Sequence, residues 1–237
     1  MSSSETTHRR GFLGRILGAA AAASFPIGAA GQASAQQGGP DDWLTKVKGT
    51  NRCLFDSPQH RAGVPLLHIL NYLNTYQEAY KAPAGRVAAV GTFYGIGGQS
   101  SISLAFNDAA WAKYGLGDYT GLKDASGKGY SRNPFFHPTP SELPLLMQAM
   151  QTPNIPMFAE AMPGLGIENL QKMGTTFLLC ENAFAGWCAE LEARGKGKAA
   201  DLQKDLRANL IPGVIPVPAM VIAIEKAQGA GIRYNRQ

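Results

Sequence analysis

The sequence predicts a single α/β domain built around a parallel β-sheet, and three observations support this prediction. Apolar runs of strand length alternate with stretches of helical periodicity, and this order favours parallel strands joined by crossover helices. Of 237 residues, 45% are hydrophobic and only 16% are charged, which excludes a disordered chain, a collagen-like repeat and a coiled coil. The three cysteines are too few to staple a domain of this size, so the fold must depend on an ordinary buried core.

Residues 1–35 have the features of a twin-arginine export signal. Arg9 and Arg10 precede an apolar dipeptide, residues 16–30 are alanine-rich and moderately apolar, and residues 33–35 supply the small side chains that a signal peptidase reads. An amphipathic or membrane-anchor helix is the alternative interpretation. We expect a periplasmic or secreted protein exported by the twin-arginine pathway. No stable membrane span is expected after cleavage, because the sequence has no uninterrupted apolar run of about 20 residues.

The positive charge of the chain gives no indication of a nucleic-acid partner. Lys and Arg outnumber Asp and Glu by 22 to 17, but three of the arginines and one glutamate belong to the leader, so the charge of +5 falls to +3. The sequence has no cluster of basic residues and no basic stripe interleaved with aromatic residues, and we expect no binding to nucleic acid. Because the twin-arginine pathway normally carries folded proteins, the cargo is expected to fold quickly, to be oligomeric or to carry a cofactor.

The first half of the mature chain predicts the order strand, helix, strand, glycine turn and helix. One stretch repeats apolar residues at helical spacing, a nearly continuous apolar run predicts a buried strand, and Gly and Pro separate the elements. The predicted elements are a flexible start at 36–41, a short helix capped by Asp41 and Asp42 near Trp43, a strand at 52–56, a helix at 65–80, a strand at 86–94, a turn at 95–98 and a helix at 100–114.

Residues 117–163 interrupt this pattern as a Pro-rich insertion. Seven of the 15 prolines fall here, so long regular elements are excluded from most of the segment, although residues 141–150 can form a short helix. A segment of this length between core elements is commonly a lid, a binding loop or an oligomer contact. A variable surface insertion is an equally open interpretation.

The alternation of helices and strands resumes after residue 166. The predicted elements are a helix at 167–173, a buried strand at 175–180, a helix at 183–210 interrupted at 194–198, a strand at 214–217, a helix at 219–228 and a short strand at 232–234. Prolines flank the strand at 214–217, which favours a place near the edge of the sheet. The mature chain therefore consists of a start with a short helix at 36–50 and one α/β domain at 51–237.

Four short motifs in residues 165–235 resemble the DsrE/DsrF-like family in their order and spacing. They are LQKMG at 170–174, FLLCENA at 177–183, LIPGVIPVP at 210–218 and the stretch from IEKAQG at 224–229 to Tyr234. The family pattern has a helix and Gly before a strand that ends in Cys, followed by a Leu-Pro-Gly-Val turn and a Gln-Gly-Tyr-like tail. The resemblance extends more weakly to the strand at 86–94 and the turn at 95–98, whereas the insertion at 117–163 is not part of the pattern.

The resemblance implies a Rossmann-like three-layer α/β fold with a mainly parallel five-stranded sheet, assembled as a homo-oligomer, a trimer or hexamer. Some relatives carry sulfur as a persulfide on a cysteine at the end of the strand that matches residues 175–180, and many others have no established activity. The resemblance therefore implies that Cys180 is the catalytic residue and that a sulfur-donor or acceptor protein is a partner.

Cys180 is also a candidate from its position. It ends a predicted strand directly before a helix, and reactive groups in open α/β sheets gather at the carboxyl ends of strands. A helix N-terminus stabilises the reactive thiolate, whereas the charge of the adjacent Glu181 opposes it. A small buried cysteine is the alternative interpretation, and it is the favoured one for Cys53 and Cys188. Cys188 lies about 9 Å further along the helix axis, too far for a disulfide with Cys180, and Cys53 could approach Cys180 only if their strands are neighbours.

A second candidate site is the glycine turn at 95–98, where backbone N–H groups before a helix could hold an anion. The turn lacks the third glycine of a dinucleotide fingerprint and the Gly-Lys-Ser/Thr of a P-loop, so a tight turn that serves the fold is favoured over nucleotide binding. The residues expected to line a ligand pocket at this end of the sheet are Tyr94, Gly95, Gly97, Gly98, Gln99, Ser100, Glu181 and Asn182.

The remaining polar residues do not predict a cofactor or a metal site. His60 and His68 are eight residues apart, not at the i, i+3 or i, i+4 spacing that converges on a metal ion, and His137 stands alone. Asp108 is expected to pair with Lys113 or a neighbour on a solvated or oligomer-facing helix. The sequence has no Gly-x-Ser-x-Gly elbow that would support a hydrolase triad.

Three functions remain open from the sequence. The leading hypothesis is an exported DsrE-like protein that binds or relays sulfur through Cys180. The second is a non-catalytic oligomeric protein that binds a small ligand or a partner, in which Cys180 is structural and residues 117–163 cover a pocket or an interface. The third is a redox or metal-dependent enzyme that is loaded before export.

Overall fold

The structure, a computed structural model, describes residues 39–237, and the predicted export signal at 1–35 lies outside them. The strands are β1 (Asn51–Asp56), β2 (Val87–Phe93), β3 (Thr175–Cys180), β4 (Ile215–Val217) and β5 (Arg233–Arg236). The α-helices are α1 (Val64–Glu78), α2 (Asp108–Tyr114), α3 (Leu116–Thr120), α4 (Leu143–Ala149), α5 (Met157–Ala161), α6 (Ile167–Lys172), α7 (Glu181–Ala193), α8 (Ala199–Ala208) and α9 (Met220–Gly229). Short 3-10 helices occupy Asp42–Lys46, Arg61–Gly63, Ser101–Ala105, Pro140–Glu142 and Met162–Leu165.

The five strands form one sheet in the order β4-β3-β2-β1-β5. Every neighbouring pair is parallel, so the predicted α/β class is confirmed, and the Rossmann-like sheet is entirely rather than mainly parallel. β4 is an edge strand, as its flanking prolines predict. Because β2 separates β1 from β3, Cys53 and Cys180 lie on strands that are not neighbours.

Helices cover both faces of the sheet and give a three-layer fold. Alternate residues of β3 point to opposite faces, so Phe177 and Leu179 join the larger core while Leu178 and Cys180 join the smaller one. Residues of α1 to α8 contribute to the larger core. Those of α9 and of the short helix around Trp43 contribute to the smaller core. We call the two sides the α1 face and the α9 face.

The strand order explains why α9 lies apart from the other helices. From β1 to β4, each strand is added on the same side of the one before it, so right-handed crossovers place the intervening helices on one face. The connection from β4 to β5 runs back across the sheet to the far side of β1, and the same handedness then places α9 on the opposite face. The connections that follow β3 and β4 therefore leave the sheet in opposite directions.

The stretch expected as a single helix at 100–114 is divided in two. A 3-10 helix, Ser101–Ala105, comes first, and α2 follows with the side chain of Asn107 as its N-cap. Phe106, between the two helices, is extended and forms a β-bridge with Leu210, and the Asn107 N–H donates to the Asn209 carbonyl at 2.9 Å. This backbone pairing interrupts the helical pattern and explains the division.

The segment before β1 packs against the sheet. Asp42–Lys46 forms a 3-10 helix rather than an α-helix, and Asp41 makes no side-chain cap bond, contrary to the expected cap. Trp43 and Val47 are buried in the smaller core on the α9 face. These residues therefore belong to the folded domain.

The Pro-rich segment is folded into the larger core. The helix expected at 141–150 is present as Pro140–Glu142 followed by α4. Its buried apolar side chains in that core are Leu122, Phe135, Leu143, Leu145, Leu146, Met147 and Met162. Asn133 anchors the segment, because its amide donates to the carbonyls of Leu104 and Phe106 at 3.0 and 2.8 Å. The segment is thus a part of the packed structure rather than a loose surface insertion.

Candidate functional site

Cys180 lies at a point where two helices leave the sheet in opposite directions. β3 ends at Cys180 and continues into α7 on the α1 face, whereas the neighbouring β4 continues into α9 on the α9 face. Val217, the last residue of β4, is in register with Cys180. In open α/β sheets, a switch of this kind between neighbouring strands opens a crevice at their carboxyl ends, and ligands commonly bind there.

The Cys180 sulfur accepts hydrogen bonds from the first turns of both helices. The Ala183 N–H of α7 donates to Sγ at 3.4 Å, and the Met220 N–H of α9 donates to it at 3.3 Å. Free N–H groups and the helix dipole make each helix N-terminus partly positive, so both helices stabilise negative charge on this sulfur. Because the residue is only 6% exposed, water competes little with these two donors.

The negative charge of Glu181, next to Cys180, is balanced by Arg207 of α8. The guanidinium donates to both carboxylate oxygens, and the Nη1–Oε1 distance is 2.6 Å. The hydrogen bonds to Glu181 raise the pKa of Arg207, so its guanidinium stays charged beside this carboxylate. The opposition of Glu181 to a Cys180 thiolate is therefore weaker than its sequence position suggests. Asn182, the last of the predicted residues here, is exposed at the start of α7.

The other two cysteines belong to the opposite face of the sheet. Cys188 on α7 is completely buried, and burial raises the pKa of its thiol to about 12. Burial also raises the pKa of the Cys53 thiol, against the opposing charge of Arg233. All three cysteines are free thiols. Since the thiolate is the nucleophile, the raised pKa values make Cys53 and Cys188 poor nucleophiles at neutral pH.

The glycine turn after β2 binds an anionic group that belongs to the chain itself. Gly95 begins the turn, and the Gly97 N–H donates to Glu190 Oε2 at 2.8 Å. The Tyr119 hydroxyl donates to the same oxygen at 2.7 Å, and Arg194 pairs with Oε1 at 2.8 Å. Burial alone would raise the pKa of Glu190, but these partners lower it overall, so the carboxylate stays charged. The N–H group that could hold an external anion is therefore occupied by α7.

The rest of the turn attaches the following segment to the sheet. A Cβ added at Gly98 would lie 2.3 Å from the Tyr119 carbonyl oxygen, so the close approach of the two backbones requires glycine. Gln99 Nε2 donates to the Thr120 carbonyl at 3.3 Å, and the Ser100 hydroxyl bonds within the turn at 2.7 Å. The structure thus places the predicted ligand residues of this turn in internal contacts.

Tyr94 belongs to a polar cluster that sequence reasoning did not find. It follows the last residue of β2 and lies level with Cys180 in the register of the sheet. Its hydroxyl donates to Asp56 Oδ1 at 2.7 Å, and the Tyr234 hydroxyl donates to Asp56 Oδ2 at the same distance. Burial and the hydrogen bond to Asp56 raise the pKa of Tyr94, so its phenol stays protonated. A carboxylate at the end of an apolar strand was the available signal, but its partner Tyr234 is 178 residues away.

Comparisons with known proteins give no match. No family model, no curated protein and no solved structure matches this chain. In the part of the chain that the structure describes, no helix combines the length and apolarity needed to cross a membrane. Function is therefore inferred from the geometry around Cys180 and from the motifs that resemble the DsrE/DsrF-like family.

Two of the histidines have clear structural partners. His60 is buried, its Nδ1 accepts from the Ala62 N–H at 3.1 Å, and its Nε2 lies 3.1 Å from the Gly98 carbonyl oxygen. Burial lowers the pKa of His60, so the ring is neutral and both nitrogens are paired. His137 lies 3.3 Å from Glu168 on the surface. Among the described residues, no three His, Cys, Asp or Glu side chains converge to hold a metal ion.

Asp108 and Lys113 each find a partner outside their own helix. Asp108 accepts a hydrogen bond from the Asn133 N–H at 3.0 Å and so holds the Pro-rich segment. Lys113 pairs with Asp205 of α8 at 2.9 Å. Both residues therefore stabilise contacts between elements of the α1 face.

Proposed function

We propose that this chain is an exported DsrE-like protein that binds or relays sulfur through a persulfide on Cys180. The proposal is carried by one observation, the pair of N–H groups from Ala183 and Met220 that donate to the Cys180 sulfur. A persulfide carrier needs a sulfur that is stabilised as an anion, and two helix N-termini provide that stabilisation. The FLLCENA motif, which resembles the cysteine-containing strand of the DsrE/DsrF-like family, supports the same role.

The proposed reaction moves one sulfur atom without an external oxidant. The Cys180 thiolate attacks the terminal sulfur of a donor persulfide R–S–SH, a new S–S bond forms, the donor S–S bond breaks and R–S⁻ leaves. An acceptor thiolate then attacks the terminal sulfur of the Cys180 persulfide, and the Cys180 thiolate leaves. With thiosulfate as a small donor, the leaving group of the first step is sulfite.

The surroundings of Cys180 favour a protein as donor or acceptor. Cys180 is almost fully buried, whereas Val221 and Ile222, which follow Met220 on the first turn of α9, are exposed apolar side chains. Exposed apolar side chains beside a protected reactive group are typical of a surface that another protein covers. We infer that a partner protein docks at this surface, while small donors such as thiosulfate also reach the sulfur.

Persulfide formation tests the proposed function. The folded protein is incubated with thiosulfate or polysulfide, and its intact mass is measured before and after a thiol reductant. We expect a reversible gain of one sulfur atom that Cys180→Ser lacks. Cys188→Ser is the matched control, since it removes a thiol of the same helix region and should gain sulfur as the wild type does, with folding of both variants checked by thermal unfolding. If the wild type gains no sulfur, or if Cys180→Ser gains as much, the sulfur-carrier role is wrong.

The burial of Cys180 favours a second function, a non-catalytic oligomeric protein that binds a small ligand or a partner. A cysteine that accepts from the Ala183 N–H can act simply as the N-cap of α7, as serine does in other helices. In that case we expect another subunit to cover Val221 and Ile222. The rate of thiol labelling separates the two functions. A sulfur carrier reacts faster than a free model thiol at about pH 7, and a structural N-cap reacts more slowly. Light scattering of the wild type and of Val221→Asp measures the assembly.

We also propose that the twin-arginine leader delivers the protein to the periplasm or the medium. Replacing Arg9 and Arg10 by lysine keeps the charge of the leader but removes the arginine pair that the export pathway reads. We expect this double variant to remain in the cytoplasm, while the control Arg15→Lys is exported normally. Cell fractionation measures both, and unchanged export of the double variant would contradict the assigned route.

A further inference from the structure

A groove of about 700 Å³ lies between α1 and the edge strand β5, on the α1 face of the sheet. Its floor includes Phe55 of β1, and its walls are side chains of α1 and residues of β5. Strand β2 separates the floor of this α1–β5 groove from β3, which ends at Cys180, and the Cys180 side chain lies on the other face. Ligand pockets commonly have volumes of roughly 300–1,000 Å³, so the groove has room for a small organic molecule.

One wall of the groove is a ladder of tyrosine rings. Tyr72 and Tyr76 are four residues apart and share one face of α1, and Tyr80 lies just beyond the end of the helix. Their ring centroids are 5.0 and 5.2 Å apart, and the ring of Phe55 lies 5.4 Å from that of Tyr72. Tyr80, at the end of the ladder, is 72% exposed. An aromatic surface of this kind offers stacking contacts to a planar ligand.

The other feature of the groove is positive charge without neighbouring acids. Arg61 lines it, and its side chain forms no salt bridge or hydrogen bond with another described residue. Arg236 also contributes to the lining, but it is in register with Asp56, whose carboxylate is bonded to Tyr94 and Tyr234 on the α9 face, so its side chain belongs to that face. The remaining polar lining consists of neutral donors and acceptors, which are His68, Asn71, Thr75, Asn235 and Gln237. Since no Asp or Glu side chain lines the groove, its electrostatics favour an anionic ligand.

The backbone that presents Arg61 is strained. Arg61 and Ala62 have positive φ angles of 39° and 44°, in the left-handed region that side chains other than glycine rarely adopt. His60 holds this conformation, because its Nδ1 accepts from the Ala62 N–H and its carbonyl accepts from the Gly63 N–H at 2.8 Å. Strain of this type persists where the surrounding structure enforces it, and it is frequent at ligand sites.

We propose that the α1–β5 groove binds a planar aromatic ligand that carries a phosphate or a carboxylate. The ring stacks on the tyrosine ladder, and the anionic group is bound by Arg61. Arg61 lies just before α1, which begins at Val64, and Tyr72 is eight residues, or about 12 Å, further along the helix, so the anion and the ring must be joined by a short spacer. This site is independent of the sulfur chemistry proposed for Cys180.

Calorimetric titration of the folded protein tests the groove. Two probes are used, adenosine 5′-monophosphate and naphthoate, together with their fragments adenosine, ribose 5-phosphate and naphthalene methanol. At least one anionic aromatic probe is expected to bind ten-fold or more tightly than each of its fragments. Tyr76→Ala is expected to weaken that binding about 5-fold to 150-fold, the equivalent of losing one stacked ring, while Tyr76→Phe retains it.

The charged end of the groove is tested by matched arginine and lysine variants. Arg61→Gln is expected to weaken binding of the anionic probe and to leave the weak binding of its neutral fragment unchanged. Arg236→Gln, which removes an arginine from the other face of the sheet, and Lys204→Gln, which removes an exposed charge from α8, are the controls and should bind as the wild type does. Arg61→Gln also settles the question if Tyr76→Ala fails to fold.

Several results would overturn the proposal. If neither probe binds more tightly than its fragments, or if Arg61→Gln binds as the wild type does, the groove is not an anion site. Binding of an acidic peptide to the free edge of β5 without binding of either probe would assign the groove to a protein partner instead. Cys180→Ser removes the sulfur site but leaves the groove intact, so it should bind the probe as the wild type does. Loss of sulfur transfer and loss of probe binding are therefore distinguished by titrating this variant.

Discussion

Replacement of Phe135 by alanine should destabilise the whole domain, because its ring fixes the Pro-rich segment in the larger core. The side chain is completely buried. Its ring lies directly on Gly63, where an added Cβ would come within 2.3 Å of Cε1, so the two surfaces are in close contact. Truncation of a fully buried phenylalanine removes the apolar transfer energy and leaves a cavity, at a cost of about 3–5 kcal/mol in the free energy of unfolding.

Denaturant and thermal unfolding measure this cost. For a domain of this size, 1 kcal/mol corresponds to about 2–4 °C, so Phe135→Ala should lower the unfolding temperature by about 6–20 °C. Met157→Ala is the matched control. Met157 lies in α5 of the same segment but is 74% exposed, and its truncation should change the stability by less than about 0.5 kcal/mol.

A second substitution tests the contact itself. Gly63 has a φ of 85°, so Gly63→Ala is strained at the backbone and also clashes with the Phe135 ring. In the Phe135→Ala background only the backbone strain remains, and the costs of the two substitutions should therefore sum to more than the cost of the double variant. A cost below about 1 kcal/mol for Phe135→Ala, or strict additivity with Gly63→Ala, would refute the packing described here and favour a detachable lid.

Three further predictions concern titratable side chains. The pKa of His60 is lowered from 6.5 in the folded protein, so as the pH falls the unfolded chain binds a proton first. At pH values below about 6.5 the free energy of unfolding should therefore decrease by up to about 1.4 kcal/mol per pH unit. Denaturant titrations of His60→Gln should lack this slope. Glu190→Ala should cost about 1–3 kcal/mol in the same assay, since it leaves the glycine-turn N–H without its acceptor, and a cost under 0.5 kcal/mol would contradict this contact. Arg207→Gln should slow thiol labelling of Cys180, because the charge of Glu181 is then no longer balanced. The double variant with Glu181→Gln should recover the labelling rate. Without that recovery, Arg207 does not act by balancing Glu181.

Local patterns are sufficient to predict the strands that are covered on both sides. Helices pack on both faces of a parallel sheet, so β2 and β3 are nearly continuous apolar runs, and the expected bounds 86–94 and 175–180 agree with the structure to within one residue. The break between α7 and α8 is confirmed as well, because Gly195 and Gly197 turn the chain there with positive φ angles. The place of Cys180 at a strand end follows from the same patterns.

The rest of the candidate site depends on contacts between distant residues. Glu190 reaches the N–H of Gly97 across 93 positions, and Tyr234 reaches Asp56 across 178. Periodicity compares residues that are a few positions apart, so it contains no information on either contact. The core position of Phe135 is hidden for a similar reason, since prolines prevent the regular spacing by which a buried face is recognised.

The return of β5 to β1 also sets an order of assembly while the chain is being made. β1 to β4 can join one after another, because each strand pairs with the one synthesised just before it. One edge of β1 has no partner until β5 is complete, and Tyr234 is added 178 residues after Asp56. At about 5–20 residues per second this interval lasts roughly 10–35 s, during which an unpaired strand edge can join another nascent chain. A chaperone that shields strand edges would therefore raise the yield of this protein most during that interval.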